Sequence, residues 1–180
     1  MLESSKFDYL INQHKNKIFN YSIYMLHNRM DAEDITQEVM IRIWKNINKF
    51  NFFAAPAWIM RTTHNLCIDY LRRNKNQYRR EISIDDDLSE RIEDRKSSER
   101  PDKMLLNNML ETVLKKTIED LPGRLKSPFV LYEIQGFKYK EISRILDIPL
   151  NSVKVNILRA RKKLQKDLKL YAREEFKQDG

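Results

Sequence analysis

Between residues 152 and 169, basic and amide side chains are spaced in a way that suits recognition of nucleic acid rather than bond-making. Lys154, Asn156, Leu158, Arg159 and Arg161 combine phosphate-seeking charge with groups that read base edges. An arginine fork takes guanine, an asparagine amide takes adenine, and an apolar leucine covers a thymine methyl. Lys162, Lys163, Lys166 and Lys169 extend the charge. A merely solvated helix face is the competing reading, but such faces normally interleave more acids than this one does.

Two further clusters stand in the first 80 residues. Asp31, Glu33, Asp34 and Glu38 gather four carboxylates without a base, in a chain of formal net charge +8. They repel DNA and suit a basic protein surface. Complementing a helix N-terminus accounts for Glu33 and Asp34 but poorly for Glu38. Downstream, Arg61, Arg72, Arg73, Lys75, Arg79 and Arg80 are interleaved with Trp58, His64, Tyr70 and Tyr78. Aromatics among bases suit unpaired strands, where each stacking platform contributes about 1–3 kcal/mol per base. For Trp58, spacing alone favours a core position over a platform.

Catalytic chemistry finds little support. His14, His27 and His64 have no Cys, Asp or Glu at metal-ligand spacing, and with three glycines the chain holds no phosphate-cradling loop. No enzyme activity, cofactor or metal is expected, and metal-dependent nuclease cleavage by the acid cluster is expected to be absent. The one cysteine, Cys67, excludes an internal disulfide and reads as a packed thiol beside Leu66 and Ile68. No apolar run approaches 18 residues and no secretory leader is visible. A cytoplasmic protein without membrane insertion is expected.

The elements that must position these residues are helical. Scarce glycine and proline and spacings of three and four predict an all-α chain of two small helical domains joined by a flexible linker. The first domain spans 1–80. Phe7, Leu10, Ile11, Ile18, Tyr21 and Met25 mark a helix over Lys6–Leu26. Asp31 is its successor's expected N-cap, with Ile35, Val39, Ile43 and Ile47 on one face. Pro56 opens a third helix. Acid-rich 81–105 reads as the linker. About 25 flexible residues span roughly 25–30 Å on average and about 80 Å when stretched. That reach covers two DNA sites some 17 base pairs, roughly 60 Å, apart. The second domain spans 106–172, with a tail at 173–180. It begins with a helix over Leu105–Asp120, followed by one opened by Ser127 and Pro128 that ends at Gly136. Next comes a helix-turn-helix: Tyr139–Leu146, a turn at Asp147, Ile148 and Pro149, and a long helix capped by Asn151 or Ser152. Val153, Ile157, Ala160, Leu164 and Leu168 form its core stripe, which leaves the basic residues for the major groove.

Asp31-Ala32-Glu33-Asp34-Ile35-Thr36-Gln37-Glu38, Trp44, Ala57-Trp58-Ile59, Arg61, Asn65, Asp69, Leu71, Arg72 and Arg73 resemble region 2 of bacterial RNA polymerase sigma factors of the extracytoplasmic-function (ECF) group. Tyr139-Lys140-Glu141-Ile142 through Pro149, Val153-Lys154 and Arg159-Ala160-Arg161-Lys162-Lys163-Leu164 resemble region 4 of the same group. The resemblance implies a promoter-reading sigma factor that performs no chemistry itself. It assigns Asp34, Gln37, Glu38 and Arg42 to core RNA polymerase. Asn48, Phe52, Phe53, Trp58, Arg61, Asn65, Arg72 and Arg73 fall to the melted minus-10 element. Ser152, Lys154, Asn156, Leu158, Arg159, Arg161 and Lys162 fall to the minus-35 element of promoter DNA. Sequestering anti-sigma factors are common partners in the group. Val155 and Asn156 stand where the group often has Ser and Arg, and Asp147 where it often has Gly. Asn156 therefore points toward an altered minus-35 preference. The alternative is a stand-alone helix-turn-helix regulator that binds duplex DNA as a dimer. It leaves the acidic cluster and the aromatic-basic helix unused.

Overall fold

The computed structural model describes the backbone of residues 2–49, 51, 53–82 and 103–178, and the side chains of residues 3–49, 51, 53–75 and 111–173. Two all-helical domains result. In the first, α1 (Leu2–Leu26), α2 (Arg29–Lys45) and α3 (Ala55–Ile82) pack against one another, all three pairs in contact. In the second, α4 (Lys103–Glu119), α5 (Gly123–Phe129), a π-helical turn at Val130–Ile134, α6 (Tyr139–Leu146) and α7 (Leu150–Gln178) follow in order.

The α1–α2 corner forms three residues earlier than Asp31 suggested. His27 takes a left-handed conformation (φ 57) and ends α1. Asn28 is extended, and its side-chain oxygen accepts from the Asp31 N–H at 3.1 Å. The cap is thus Asn28, and Asp31 lies inside the first turn. The cause is geometric, since a capping oxygen must sit outside the helix to reach an amide two or three residues on. The stripe of α1 continues through Leu10, His14, Ile18, Tyr21 and Met25, all buried. Before α3, Asn51 organises a tight turn by accepting from the N–H groups of Phe53, Ala54 and Ala55. Pro56 sits in the first turn of α3, as its missing N–H predicts.

In the second domain the helix expected from Ser127 starts at Gly123 instead. The Pro122 carbonyl accepts from Leu125 and Lys126 at 2.8 and 2.9 Å, leaving Pro128 inside α5. The helix then widens. Gln135 donates to the Val130 carbonyl at 3.0 Å, and Gly136 turns the chain at φ +76, a conformation that suits a residue without Cβ.

The helix-turn-helix follows. Ile142 and Ile145 bury the inner face of α6, and Glu141 reaches back to the Lys138 N–H at 2.7 Å. Asp147 adopts the left-handed conformation (φ 55), which aspartate tolerates better than most residues. Ser143 pins the turn twice, donating Oγ–H to the Ile148 carbonyl at 2.6 Å and accepting the Ile148 N–H on its own carbonyl at 3.2 Å. Because Val153 bonds to the Pro149 carbonyl at 3.1 Å, α7 starts at Leu150 and places Asn151 and Ser152 within its first turn rather than at its cap. Val153, Ile157, Ala160 and Leu164 are buried and Leu168 is half-buried.

The ends of the expected linker at 81–82 and 103–105 are helical, and its remainder lies outside the described residues. The expected tail continues α7 to Gln178.

The two domains share one buried core. At the junction, Ser127 Oγ contacts Met25 Sδ at 3.6 Å and Gln135 donates to the Lys17 carbonyl at 3.2 Å. Tyr21 is fully buried there, its hydroxyl 2.8 Å from His64 Nδ1. Burial holds His64 neutral and lowers its pKa from 6.5 to about 4; His14 is lowered for the same reason, with Lys17 adding to it. Unfolded histidine takes up its proton below about 6.5, whereas folded His64 resists until about 4. Stability is therefore full above pH 6.5 and falls progressively from there to about 4. Thermal unfolding midpoints across that range should drop as pH falls, with a shallower slope in His64→Gln. An unchanged slope in the variant would remove His64 from the account.

Candidate nucleic-acid and protein interfaces

Three surfaces emerge from these helices. On α7, Lys154, Leu158, Arg159 and Lys162 are exposed on the side away from the core stripe. Spacings of three and four form two adjacent ridges, Lys154–Leu158–Arg161 and Val155–Arg159–Lys162. Val155, 43% exposed, thus joins the presented face; its place three residues before Leu158 and four before Arg159 was the available signal. Leu158 is 51% exposed, unusual for a leucine unless something apolar covers it.

Not every expected contact projects freely. Arg161 is drawn back to Glu133, donating Nε–H to its carboxylate at 2.7 Å, and lies 5.6 Å from the centre of the Tyr132 ring, which stacks on Tyr139. It ties α7 to the π-helical turn. Asn156 and Ser152 are half-buried, and Asn156 lines a cleft toward α3.

The second surface lies on α2. Asp34 and Gln37 are exposed, while Glu38 is half-buried and accepts from Arg42 Nε at 2.7 Å. Exposed Ile41 and Trp44 continue this side of the domain, Trp44 meeting Phe7 edge to face at 5.2 Å. Ala32, Ile35, Thr36, Val39 and Ile43 form the opposite, buried face. Carboxylates, an arginine and apolar groups therefore share one exposed helix side, a composition that fits a protein partner with a basic rim better than a duplex.

The third surface is the start of α3 and the turn before it. Phe53 is 97% exposed, held at the tip of the turn by Asn51. Together with Tyr9, Leu10, Gln13, His14 and Pro56 it lines an open cleft of 640 Å³. Tyr9, Gln13 and His14 escaped the sequence reading because they belong to α1, some forty residues upstream. Among the described residues, the buried Nδ1 atom of His14 has no hydrogen-bond partner. Asn48 donates to Glu3 at 2.7 Å, and Phe52 lies outside the described residues. Trp58 is half-buried against the core, in keeping with its spacing. Along α3, Arg61, Asn65, Arg72 and Arg73 are exposed. Arg72 pairs with Asp69 at 3.0 Å and Arg73 donates to the Asp69 carbonyl at 3.3 Å, while Arg61 turns toward the second domain.

Burial pushes the Cys67 thiol up to about 12, which leaves it unreactive. Among the described residues, no three His, Cys, Asp or Glu side chains gather as a metal site, and no helix is long and apolar enough to cross a membrane.

Known proteins divide the chain along the same lines. The family model for sigma-70 region 2 matches residues 10–77 and that for sigma-70 region 4 matches residues 112–164. The ECF RNA polymerase sigma factor SigW of Bacillus subtilis is 31% identical over 163 residues, covering 89% of this chain and 87% of that protein. SigE of Mycolicibacterium smegmatis, another ECF RNA polymerase sigma factor, is 29% identical over 88% of this chain, which spans 60% of that protein's length. The sigma factor RpoE of Bartonella quintana, solved in complex with the anti-sigma factor NepR, has the same fold, with a TM-score of 0.71 and 18% identity over 91% of this chain and 96% of that one. Region 2 and region 4 in this order, with an exposed acidic helix face on one and an exposed basic helix face on the other, place the chain in the ECF group of RNA polymerase sigma factors.

Proposed function

We infer that this chain binds core RNA polymerase and directs it to specific promoters, initiating transcription without performing chemistry itself. In this reading it acts in the cytoplasm, where the polymerase is. The observation that carries it is the opposition of two surfaces on one chain: exposed Asp34, Gln37 and Arg42 with half-buried Glu38 on α2, and exposed Lys154, Leu158, Arg159 and Lys162 on α7. A duplex reader needs only the second. A dimeric stand-alone regulator would leave α2 and the aromatic turn without a role, and that alternative is not retained.

The roles divide by chemistry. The carboxylates of α2 meet a basic polymerase surface. Residues of α7 enter the major groove over the minus-35 element, Arg159 and Lys154 supplying charge and Leu158 an apolar contact. Arg61, Asn65, Arg72 and Arg73 hold the melted minus-10 strand. The cleft between α1 and the Asn51 turn receives one unstacked base, with Phe53 as platform and Gln13 and His14 offering polar edges. Since the RpoE structure is a complex with an anti-sigma factor, a sequestering protein of that class is a natural further partner.

Reversing Asp34 and Glu38 together to lysine should weaken binding to core polymerase by more than about tenfold, a loss of at least about 1.4 kcal/mol. Equal affinity in a fluorescence titration would refute the docking role. Replacing Arg159 with alanine should weaken minus-35 binding: loss of about 1–3 kcal/mol of discrimination at one base marks base readout, and a salt slope lower by about one marks a phosphate contact. A fluorescent base analogue stepped through the minus-10 element should be quenched at a single position in the open complex and recover its emission in Phe53→Ala. Quenching that survives this substitution would place the captured base elsewhere.

A further inference from the structure

Arg161 carries the charge of a DNA contact but is engaged within its own domain. Its Nε–H donates to Glu133 at 2.7 Å, and its Nη2 reaches the same carboxylate oxygen. The guanidinium carbon lies 5.6 Å from the centre of the Tyr132 ring. Tyr132 in turn stacks on Tyr139, with ring centres 4.6 Å apart and planes inclined by 19°. Three elements meet in this cluster: the π-helical turn through Tyr132 and Glu133, α6 through its first residue Tyr139, and α7 through Arg161.

A helix-turn-helix reads sequence only if its two helices keep a fixed angle, since binding groups must be held to within about 0.5 Å and 10–20°. One end of the α6–α7 pair is fixed by the turn, where Ser143 bonds twice to Ile148. The other end is the start of α6, where Tyr139 meets Tyr132 and, through it, Arg161. Helical spacing agrees with that placement. At about 100° per residue, Arg161 follows core Ala160 and flanks the buried stripe, whereas Val155 and Lys162 lie almost opposite it.

Charge points the same way. To bind a phosphate, Arg161 would have to give up Glu133 and leave a carboxylate facing the DNA backbone, where like charges oppose binding. Among the described residues, Lys154, Arg159 and Lys162 are exposed with no acid paired to them, and they offer their charge without that penalty.

We propose that Arg161 and Glu133 are positioning residues for minus-35 reading: backed by Tyr132 and Tyr139, they set the angle of α7 to α6, and neither touches DNA. The proposal rests on the sigma-factor reading above. It takes Arg161 out of the minus-35 contacts that the resemblance implies and leaves Lys154, Leu158 and Arg159 to make them.

The test uses the full chain assembled with core polymerase, on a promoter duplex that the native assembly selects from a randomised library. Arg161→Gln should weaken binding about two- to fivefold, the range for a partly exposed ion pair, with the loss spread over several minus-35 positions and the salt slope unchanged. A slope shallower by about one, the signature of a lost phosphate contact, would overturn the proposal. Glu133→Gln should weaken binding by a similar factor. Tighter binding, expected if Glu133 only withholds Arg161 from DNA, would overturn it, as would native affinity in both variants.

Exchanging the charges, Glu133→Arg together with Arg161→Glu, separates the two roles. A positioning pair should recover, binding better than either single charge reversal, and that recovery rules out a misfolded domain as the cause of the single losses. A DNA contact would instead place a carboxylate against the backbone, and binding weaker than in either single reversal would overturn the proposal. Selection of no preferred duplex by the native assembly would count against the sigma-factor reading itself. Normal selection followed by a shallower slope in Arg161→Gln would count against positioning alone.

Discussion

The seam where α1 meets α5 and the π-helical turn governs the whole molecule. Each domain alone is a small helical cluster, and small clusters bury too little of their surface to be secure. Here Tyr21 and Met25 from the first domain and Phe129, Val130 and Leu131 from the second belong to one buried core. The π-helical widening contributes by carrying Gln135 to the Lys17 carbonyl. What stabilises both domains also fixes their mutual position.

The three surfaces differ in how far they depend on the seam. The α2 side depends on it least, because α2 turns its buried face to α1 and α3 within its own domain. The ridges of α7 are intermediate. Lys154, Leu158 and Arg159 project into solvent, while Asn156, four residues before the core residue Ala160, borders the cleft toward α3. The α3 surface depends most, since Arg61 is engaged by the opposite domain.

Local features were legible in the sequence wherever one side chain or one period sets the outcome. The core stripe of α7 from Val153 to Leu164 and the place of Pro56 follow from helical spacing and proline's missing donor. The corner at Asn28 was misplaced because Asp31 and Asn28 are both good capping residues. The choice between them belongs to His27, whose left-handed turn ends α1 just before. Starting a helix at Ser127 failed for a related reason: the carbonyl that organises it comes from Pro122. Contacts with no local signature stayed hidden. Nothing near Arg61 announces Asp147, and nothing near Phe53 announces His14. Nothing near Arg161 announces Glu133, which lies on another element.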